Sequence, residues 1–189
     1  GTNFTLAGVA LRGGSDNRIT LGNTTVHATW AYDDVYTMSM AGTPVRVREV
    51  GDVLLGTAPP MHSTGNTSAV VDVRVGLNAQ QFTGGLVFGY FADPELHELS
   101  PNTGPVTGAT LVTLSGTDFS GGSVYRCRFG PTLVEATLSA ATTHQLRCRV
   151  PPLPAAPHVV EVTLNGQEFS SSRLSYGVYE VAVVAPLPT

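Results

Sequence analysis

Apolar and polar side chains alternate with a period of two along several short stretches of the chain. In VVDVRV (70–75) the valines at alternate positions share one face, and Asp72 and Arg74 occupy the other. The stretches QLRCRV (145–150) and VVEVTL (159–164) repeat this pattern. Such alternation predicts half-buried β-strands, and no stretch sustains the 3.6-residue period of a helix. We therefore predict an all-β protein.

Clusters of glycine, proline, serine and threonine separate the predicted strands. Examples are NTGP (102–105), GGS (121–123) and PPLPAAP (151–157). Short strands separated in this way are typical of a β-sandwich. The chain of 189 residues is long enough for one or two such domains.

Four blocks of sequence recur in the same order in the two halves of the chain, which indicates an internal repeat. The separation between matched blocks decreases along the chain, so the first half should carry roughly twenty extra residues. We predict a first domain over residues 1–92 with this insertion around 8–50, and a second domain over 93–180. The matched blocks are GTNF (1–4) with GTDF (116–119), LLGTAPP (54–60) with LRCRVPP (146–152), VVDVRVGLNAQQF (70–82) with VVEVTLNGQEF (159–169), and LVFGYF (86–91) with LSYGVY (174–179).

The two cysteines, Cys127 and Cys148, fall on the inward faces of two predicted strands. This placement favours a disulfide within the second domain, although two reduced thiols in the core would give the same pattern. A bridge of this loop length would stabilise the domain by roughly 3 kcal/mol on the chain-entropy model. Two thiols alone cannot form a structural zinc site, which needs four ligands.

A run of ordered motifs in the second half resembles a known family. SPNTGPVTGATLVTLSGTDF, CRFG, LRCRVPP and VVEVTLNGQEFSSSRLSY, over about residues 95–179, resemble the IPT/TIG family. These are immunoglobulin-like domains of plexins, related receptors and Rel-type transcription factors. The resemblance implies an immunoglobulin-like sandwich with an interaction or spacer role and no catalysis.

The first half resembles the same family from GTNF and again from APP (58–60) onward. It departs from the family in its insertion, in its lack of cysteine and in the absence of a first strand. The predicted fold is therefore two tandem immunoglobulin-like sandwiches, of which the first lacks its N-terminal strand within this chain.

The end of the chain, VAVVAPLPT (181–189), resembles the start of the second domain, with Pro186 at the place of Pro101. We expect this tail to continue into another unit or to complement one as a strand. Either the chain is one period of a longer array, or separate subunits exchange the tail strand. A head-to-tail contact that does not close would give a filament. The residues expected in this strand are Val181, Val183 and Val184.

Three Asn-X-Ser/Thr sequons predict N-linked glycans, and we expect no cofactor and no metal. An asparagine that serves a turn is the alternative at each site. The inferred disulfide favours a secretory route, along which such sequons are glycosylated. The sequons begin at Asn3, Asn23 and Asn66.

Two groups of side chains are candidate interaction surfaces. Trp30, Tyr32 and Tyr36 could stack on sugar rings or anchor a protein partner, although aromatic residues more often cover a core. Outward arginines on the two cysteine-bearing strands could bind acidic sugars or carboxylates, although a solvated face paired with nearby glutamates is the simpler interpretation. These arginines are Arg126, Arg128, Arg147 and Arg149.

Charge and motif content exclude several classes of function. The net charge is −4, and all ten basic residues other than histidine are arginines, so we expect no nucleic-acid partner. The chain has no HExxH or GxSxG motif, and we expect no enzyme activity. No segment is long and apolar enough to span a membrane.

We predict a structural or adhesive extracellular or cell-surface glycoprotein unit that assembles head to tail with copies of itself or with adjacent repeats. Glycans or other surface proteins are possible partners. The alternative is a ligand-binding segment of a receptor ectodomain with several repeats. A DNA-binding protein of Rel type is a third reading.

Overall fold

The structure, a computed structural model, describes residues 2–8, 10–32, 39–40, 43–44, 52–60 and 68–181. Every regular element among these residues is a β-strand. The predicted all-β, immunoglobulin-like fold is therefore confirmed. The chain divides into two units: unit 1 contains the described residues before 61 and residues 69–90, and unit 2 contains Ser68 and the described residues from Phe91.

The described residues of unit 2 form eight strands, which alternate buried and exposed side chains as the sequence pattern predicts. They are hydrogen-bonded in the order β10-β12-β15-β14-β13-β16-β17-β11. Strand β14 pairs with β15 on one side and with β13 on the other, so it joins the two layers of the sandwich. The strands are β10 (Glu95–Ser100), β11 (Thr103–Pro105), β12 (Leu111–Thr117), β13 (Arg126–Phe129), β14 (Thr132–Leu138), β15 (Gln145–Arg149), β16 (Pro157–Thr163) and β17 (Leu174–Tyr179).

The core of unit 2 is closed. Val112, Leu114, Leu146 and Val160 are fully buried, and the ring of Phe129 lies edge-on to Tyr176 at 5.7 Å between centroids. Cys127 and Cys148 form a disulfide between β13 and β15, with their Cα atoms 6.5 Å apart. This separation is within the usual range for the bond.

Unit 1 is built from two smaller sheets, of order β1-β7-β4 and β3-β2-β8-β9, and a short pair, β5-β6. Its core is centred on Ile19 and Leu54, which are fully buried, with Val73 and Val75 beside them. The strands are β1 (Asn3–Ala7), β2 (Arg18–Leu21), β3 (Thr24–His27), β4 (Thr29–Tyr32), β5 (Ser39–Met40), β6 (Thr43–Pro44), β7 (Asp52–Thr57), β8 (Ala69–Gly76) and β9 (Phe82–Tyr90).

The strand registers change one of the sequence matches. Strand β1 pairs with β7 through Thr5 and Leu55, and β12 pairs with β15 through Thr113 and Arg147. If β7 corresponds to β15, as the LLGTAPP and LRCRVPP blocks indicate, then TLAG (5–8) corresponds to TLSG (113–116). The GTNF block therefore does not take the place of GTDF.

The positions with positive φ occur at matching places in the two units. Ala10 and Asp118 have φ of 59° and 60°, and Gly22 and Gly130 have φ of 58° and 56°. If the two units correspond, β2 lies at the place of β13. The insertion predicted around residues 8–50 lies partly outside the described residues, and it stays a prediction.

Candidate functional site

Two of the four outward arginines of unit 2 are paired with carboxylates. Arg126 donates from Nε to Glu135 Oε1 at 2.9 Å, across the β13–β14 pair. Arg128 forms an ion pair with Glu161 on β16, and its guanidinium carbon lies 3.9 Å from the ring centroid of Phe169. These two arginines therefore stabilise the sheet that carries them.

The other two arginines have no acidic partner among the described residues. Arg147 lies between Thr113 and Thr137 in the neighbouring strands. Arg149 donates from Nη1 to the carbonyl oxygen of Ala109 at 3.3 Å. Cross-strand pairing through β14 places Arg126 and Arg147 on one continuous outer face. We call Arg147 and Arg149 the free arginine pair, because their charge is available for an acidic ligand.

Of the three predicted aromatic residues, only the Trp30 side chain is described. It is 37% exposed on β4, and the Arg12 guanidinium lies 5.2 Å from its ring centroid. Arg12 also lies 3.3 Å from Asp52 Oδ1. The side chain of Tyr32 and all of Tyr36 lie outside the described residues. The sequence pattern did not indicate the contact between Arg12 and Trp30, because the two residues are brought together by the pairing of β4 with β7.

Next to this contact, two loops of unit 1 line an open cleft of about 490 Å³. Such a volume suits a small ligand or a short segment of a partner. The loops follow β1 and β8, and their lining side chains combine one cation, amide groups and an aromatic ring. Among them are Arg12, Ser15, Asn78, Gln81 and Phe82.

A second charged group lies at the start of β2. Arg18 donates to the Asp16 carboxylate from Nε at 3.1 Å and from Nη2 at 3.0 Å. These hydrogen bonds lower the pKa of Asp16 and raise the pKa of Arg18. His27 Nδ1 lies 3.6 Å from Asp16 Oδ1. The two-point contact holds Arg18 in place and pairs its charge with the carboxylate of Asp16.

Two of the three sequons are described. Asn23 lies at the exposed turn between β2 and β3, where a glycan would project into solvent. Asn3 is exposed on β1, and its Oδ1 accepts a hydrogen bond from Thr57 Oγ1 at 2.9 Å. Asn66 lies outside the described residues. Nothing in the described part of the chain blocks access to Asn23.

The predicted strand-exchange elements are partly described. Strand β1 pairs with β7 on one side, and its other edge has no strand beside it among the described residues. Val181 is 54% exposed, whereas Val183 and Val184 lie outside the described residues.

The described residues contain no group of three or more acidic, histidine or cysteine side chains that could hold a metal ion. Within the same residues, no helix has the length and apolar character needed to cross a bilayer.

Unit 2 thus has a complete eight-strand sandwich with a disulfide between its layers. Residues 94–178 match the family model of the IPT/TIG domain. This match covers the part of the chain in which the sequence motifs resemble that family. A comparison with curated proteins found no match.

The fold is similar to that of plexin A4 extracellular regions. One structure of the full extracellular region (domains 1 to 10) has a TM-score of 0.57 and 15% identity over 100% of this chain. Another (domains 1 to 8) has a TM-score of 0.53 and 19% identity over 95% of this chain. The chain spans 16% of the length of either plexin structure. At these identities the similarity concerns the fold alone.

Proposed function

We propose that the chain is a segment of an extracellular receptor-type ectodomain, in which IPT/TIG sandwiches position and form binding surfaces. The observation that carries this proposal is the IPT/TIG match over residues 94–178, joined with a fold similar to plexin A4 extracellular regions. The proposed role is binding and spacing, without catalysis and without a cofactor.

Unit 1 is, in this proposal, a second IPT/TIG-like domain in tandem with unit 2. Its support is geometric. The isolated parallel bridge of Asp16 with Asn78 in unit 1 has a counterpart in the bridge of Val124 with Asn165 in unit 2. In each unit the asparagine side chain accepts hydrogen bonds from the following loop, from Gln80 and Gln81 or from Gln167 and Glu168.

The partner is an extracellular protein or glycan rather than a nucleic acid. Two surfaces are available to it: the free arginine pair on unit 2 and the 490 Å³ cleft on unit 1. The arginine pair offers cations without an acidic partner among the described residues, which suits carboxylate or acidic-sugar ligands. The cleft offers amide groups and an aromatic ring beside Arg12, whose charge is paired with Asp52. The net charge of −4 makes a phosphate backbone an unfavourable ligand.

The extracellular assignment is tested by the state of the native protein. We expect an N-linked glycan at Asn23 and an oxidised Cys127–Cys148 pair, both measurable by peptide mapping with mass spectrometry before and after deglycosylation. Asn23→Gln expressed through the same route is the matched control, because it should lose one glycan mass and keep the disulfide. An unmodified Asn23 together with reduced cysteines would overturn the proposal.

A head-to-tail array is a second candidate, and the likeness of VAVVAPLPT (181–189) to the start of the second domain favours it. Electron micrographs of the native assembly should show a repeating axial spacing if this candidate is right. Discrete particles without such a spacing would favour the receptor segment alone.

A further inference from the structure

Strand β15 lies in the interior of its layer, and its outward side chains include the free arginine pair. Over residues 146–148 its backbone is paired with β12 on one side and with β14 on the other. A peptide therefore cannot add to β15 there as a further strand, and a ligand at this face meets side chains. Arg147 and Arg149 are both exposed. Because alternate residues of a strand lie on one face, their Cα atoms are about 7 Å apart.

A row of hydroxyl groups crosses the sheet through Arg147. Ser100 on β10 lies opposite Thr113 on β12, which lies opposite Arg147, which in turn lies opposite Thr137 on β14. At least one sequence neighbour of each of these residues lies in the hydrophobic core or packs against it, so all four side chains point outward. A hydroxyl both donates and accepts hydrogen bonds. The row thus places three such groups on the same face as an unpaired cation.

The carboxylates near this face do not neutralise the free arginine pair. Glu135, on the adjacent strand β14, is engaged by Arg126. Glu98 lies opposite Ser115 on β10, which is two strands away from β15. At the usual strand spacing this is about 10 Å, comparable to the distance over which physiological salt screens a charge. The face therefore keeps its positive charge although the chain as a whole is acidic.

The side chains of this face fit a sugar ligand better than a protein ligand. Protein interfaces have an apolar centre with few charges and are usually anchored by aromatic or aliphatic side chains. Here the centre carries arginine and hydroxyl groups, and the large apolar side chain beside them, Leu111, lies at the margin opposite Arg149. The guanidinium fork matches a carboxylate, and the hydroxyls match the hydroxyls of a sugar ring.

We propose that the outward face of β15 is a binding site for an acidic polysaccharide whose sugar units carry carboxylates. Arg147 and Arg149 donate hydrogen bonds to the carboxylates, and Thr113 and Thr137 exchange hydrogen bonds with neighbouring sugar hydroxyls. The inference deepens the acidic-ligand role in the proposed function and rests on it. The two can fail separately, because the glycan at Asn23 and the disulfide would be found whether or not this face binds a polysaccharide.

Isothermal titration calorimetry of the full, oxidised chain with oligogalacturonate and with hyaluronan oligosaccharides tests the site. We expect saturable binding of at least one of them, weaker at higher salt, and no binding once its carboxylates have been reduced to alcohols. Arg147→Ala and Arg149→Ala should each lower the association constant at least about tenfold, because each removes a charge-assisted hydrogen-bonding group.

Arg173→Ala is the matched control, because Arg173 is exposed just before β17 in the other layer and its loss changes the net charge equally. It should leave the association constant within about twofold of the wild type. Equal effects of the three arginine substitutions, or a wild type that binds neither oligosaccharide, would overturn the proposal.

Poly-glutamate separates a polysaccharide site from one that takes any chain of carboxylates. Thr137→Val removes an outward hydroxyl and keeps a β-branched side chain of similar shape. We expect it to weaken polysaccharide binding about threefold and to leave any binding of poly-glutamate unchanged. If poly-glutamate binds as tightly as the polysaccharide, or if Thr137→Val affects neither ligand, the face recognises charge alone and the proposal is wrong.

Discussion

Arg126 and Arg128 show how two residues of one strand can differ in what they contribute to stability. Both are outward arginines on β13, and each is paired with a glutamate of a neighbouring strand. The Arg126–Glu135 side chains are 41% and 77% exposed, whereas those of Arg128 and Glu161 are 33% and 24% exposed. Arg128 also covers the ring of Phe169. Solvent therefore screens the first pair much more than the second.

We expect Arg128→Ala to lower the free energy of unfolding of unit 2 by about 1–2 kcal/mol, because it removes a half-buried ion pair and a cation–π contact. Arg126→Ala should change it by less than about 0.5 kcal/mol. Urea unfolding followed by far-UV circular dichroism measures both. Equal effects of the two substitutions would show that lower exposure does not make the Arg128–Glu161 pair more stabilising than the Arg126–Glu135 pair.

The sequence placed these arginines on the outside of their strands but did not identify their partners. The partners depend on strand register: Glu135 is opposite Arg126 and Glu161 is opposite Arg128 only in the pairing that the fold adopts. Alternation within one strand carries no information about the neighbouring strand. The same limit applies to Arg12 and Trp30.

At the scale of elements, the two units hold their layers together by different means. In unit 2 the disulfide joins β13 to β15. In the proposed tandem arrangement, the matching places of unit 1 are taken by Ile19, which is fully buried, and by Gly56. A Cβ on Gly56 would lie 2.7 Å from Cζ of Phe4, so the Phe4 ring fills the space that a side chain at residue 56 would occupy. Apolar packing thus replaces the covalent link in unit 1.

Removal of the disulfide should destabilise unit 2 by roughly 3 kcal/mol, since the bond spans 21 residues and restricts the unfolded chain. The double substitution Cys127→Ser, Cys148→Ser and chemical reduction of the wild type should give similar losses by urea unfolding. The double variant itself should not respond to reductant. A response would indicate an effect of the reagent other than cleavage of this bond.

Several strands were predictable from the sequence. Which strand of unit 1 matches which strand of unit 2 was only partly predictable. Alternation identified β8, β15 and β16, because their inward positions are almost all aliphatic. The GTNF match failed because GTDF begins at the end of β12, whereas Asn3 begins β1. The sequence places RITL (18–21) in the insertion, because RITL shares only Arg18 with RCRF of β13. In the proposed tandem arrangement, β2 matches β13 in its turns and not in its side chains.

At the scale of the whole molecule, the two units should differ in stability. Unit 2 has a closed core and a disulfide, whereas unit 1 leaves Phe4 and Leu6 half-buried and exposes 57% of Leu86 and 67% of Val87. Less apolar surface removed from water means less stabilisation on folding. A chain that contains two such units need not unfold in one step.

We expect two thermal transitions, with unit 1 unfolding first. The only tryptophan, Trp30, lies in unit 1, so its fluorescence should follow the lower transition, while far-UV circular dichroism should follow both. A reductant should lower the upper transition and leave the fluorescence midpoint unchanged, because the disulfide belongs to unit 2. One coincident transition, or a fluorescence midpoint that moves with reductant, would show that the units unfold as one cooperative body. In that case the stability of unit 1 would depend on unit 2 rather than on its own core.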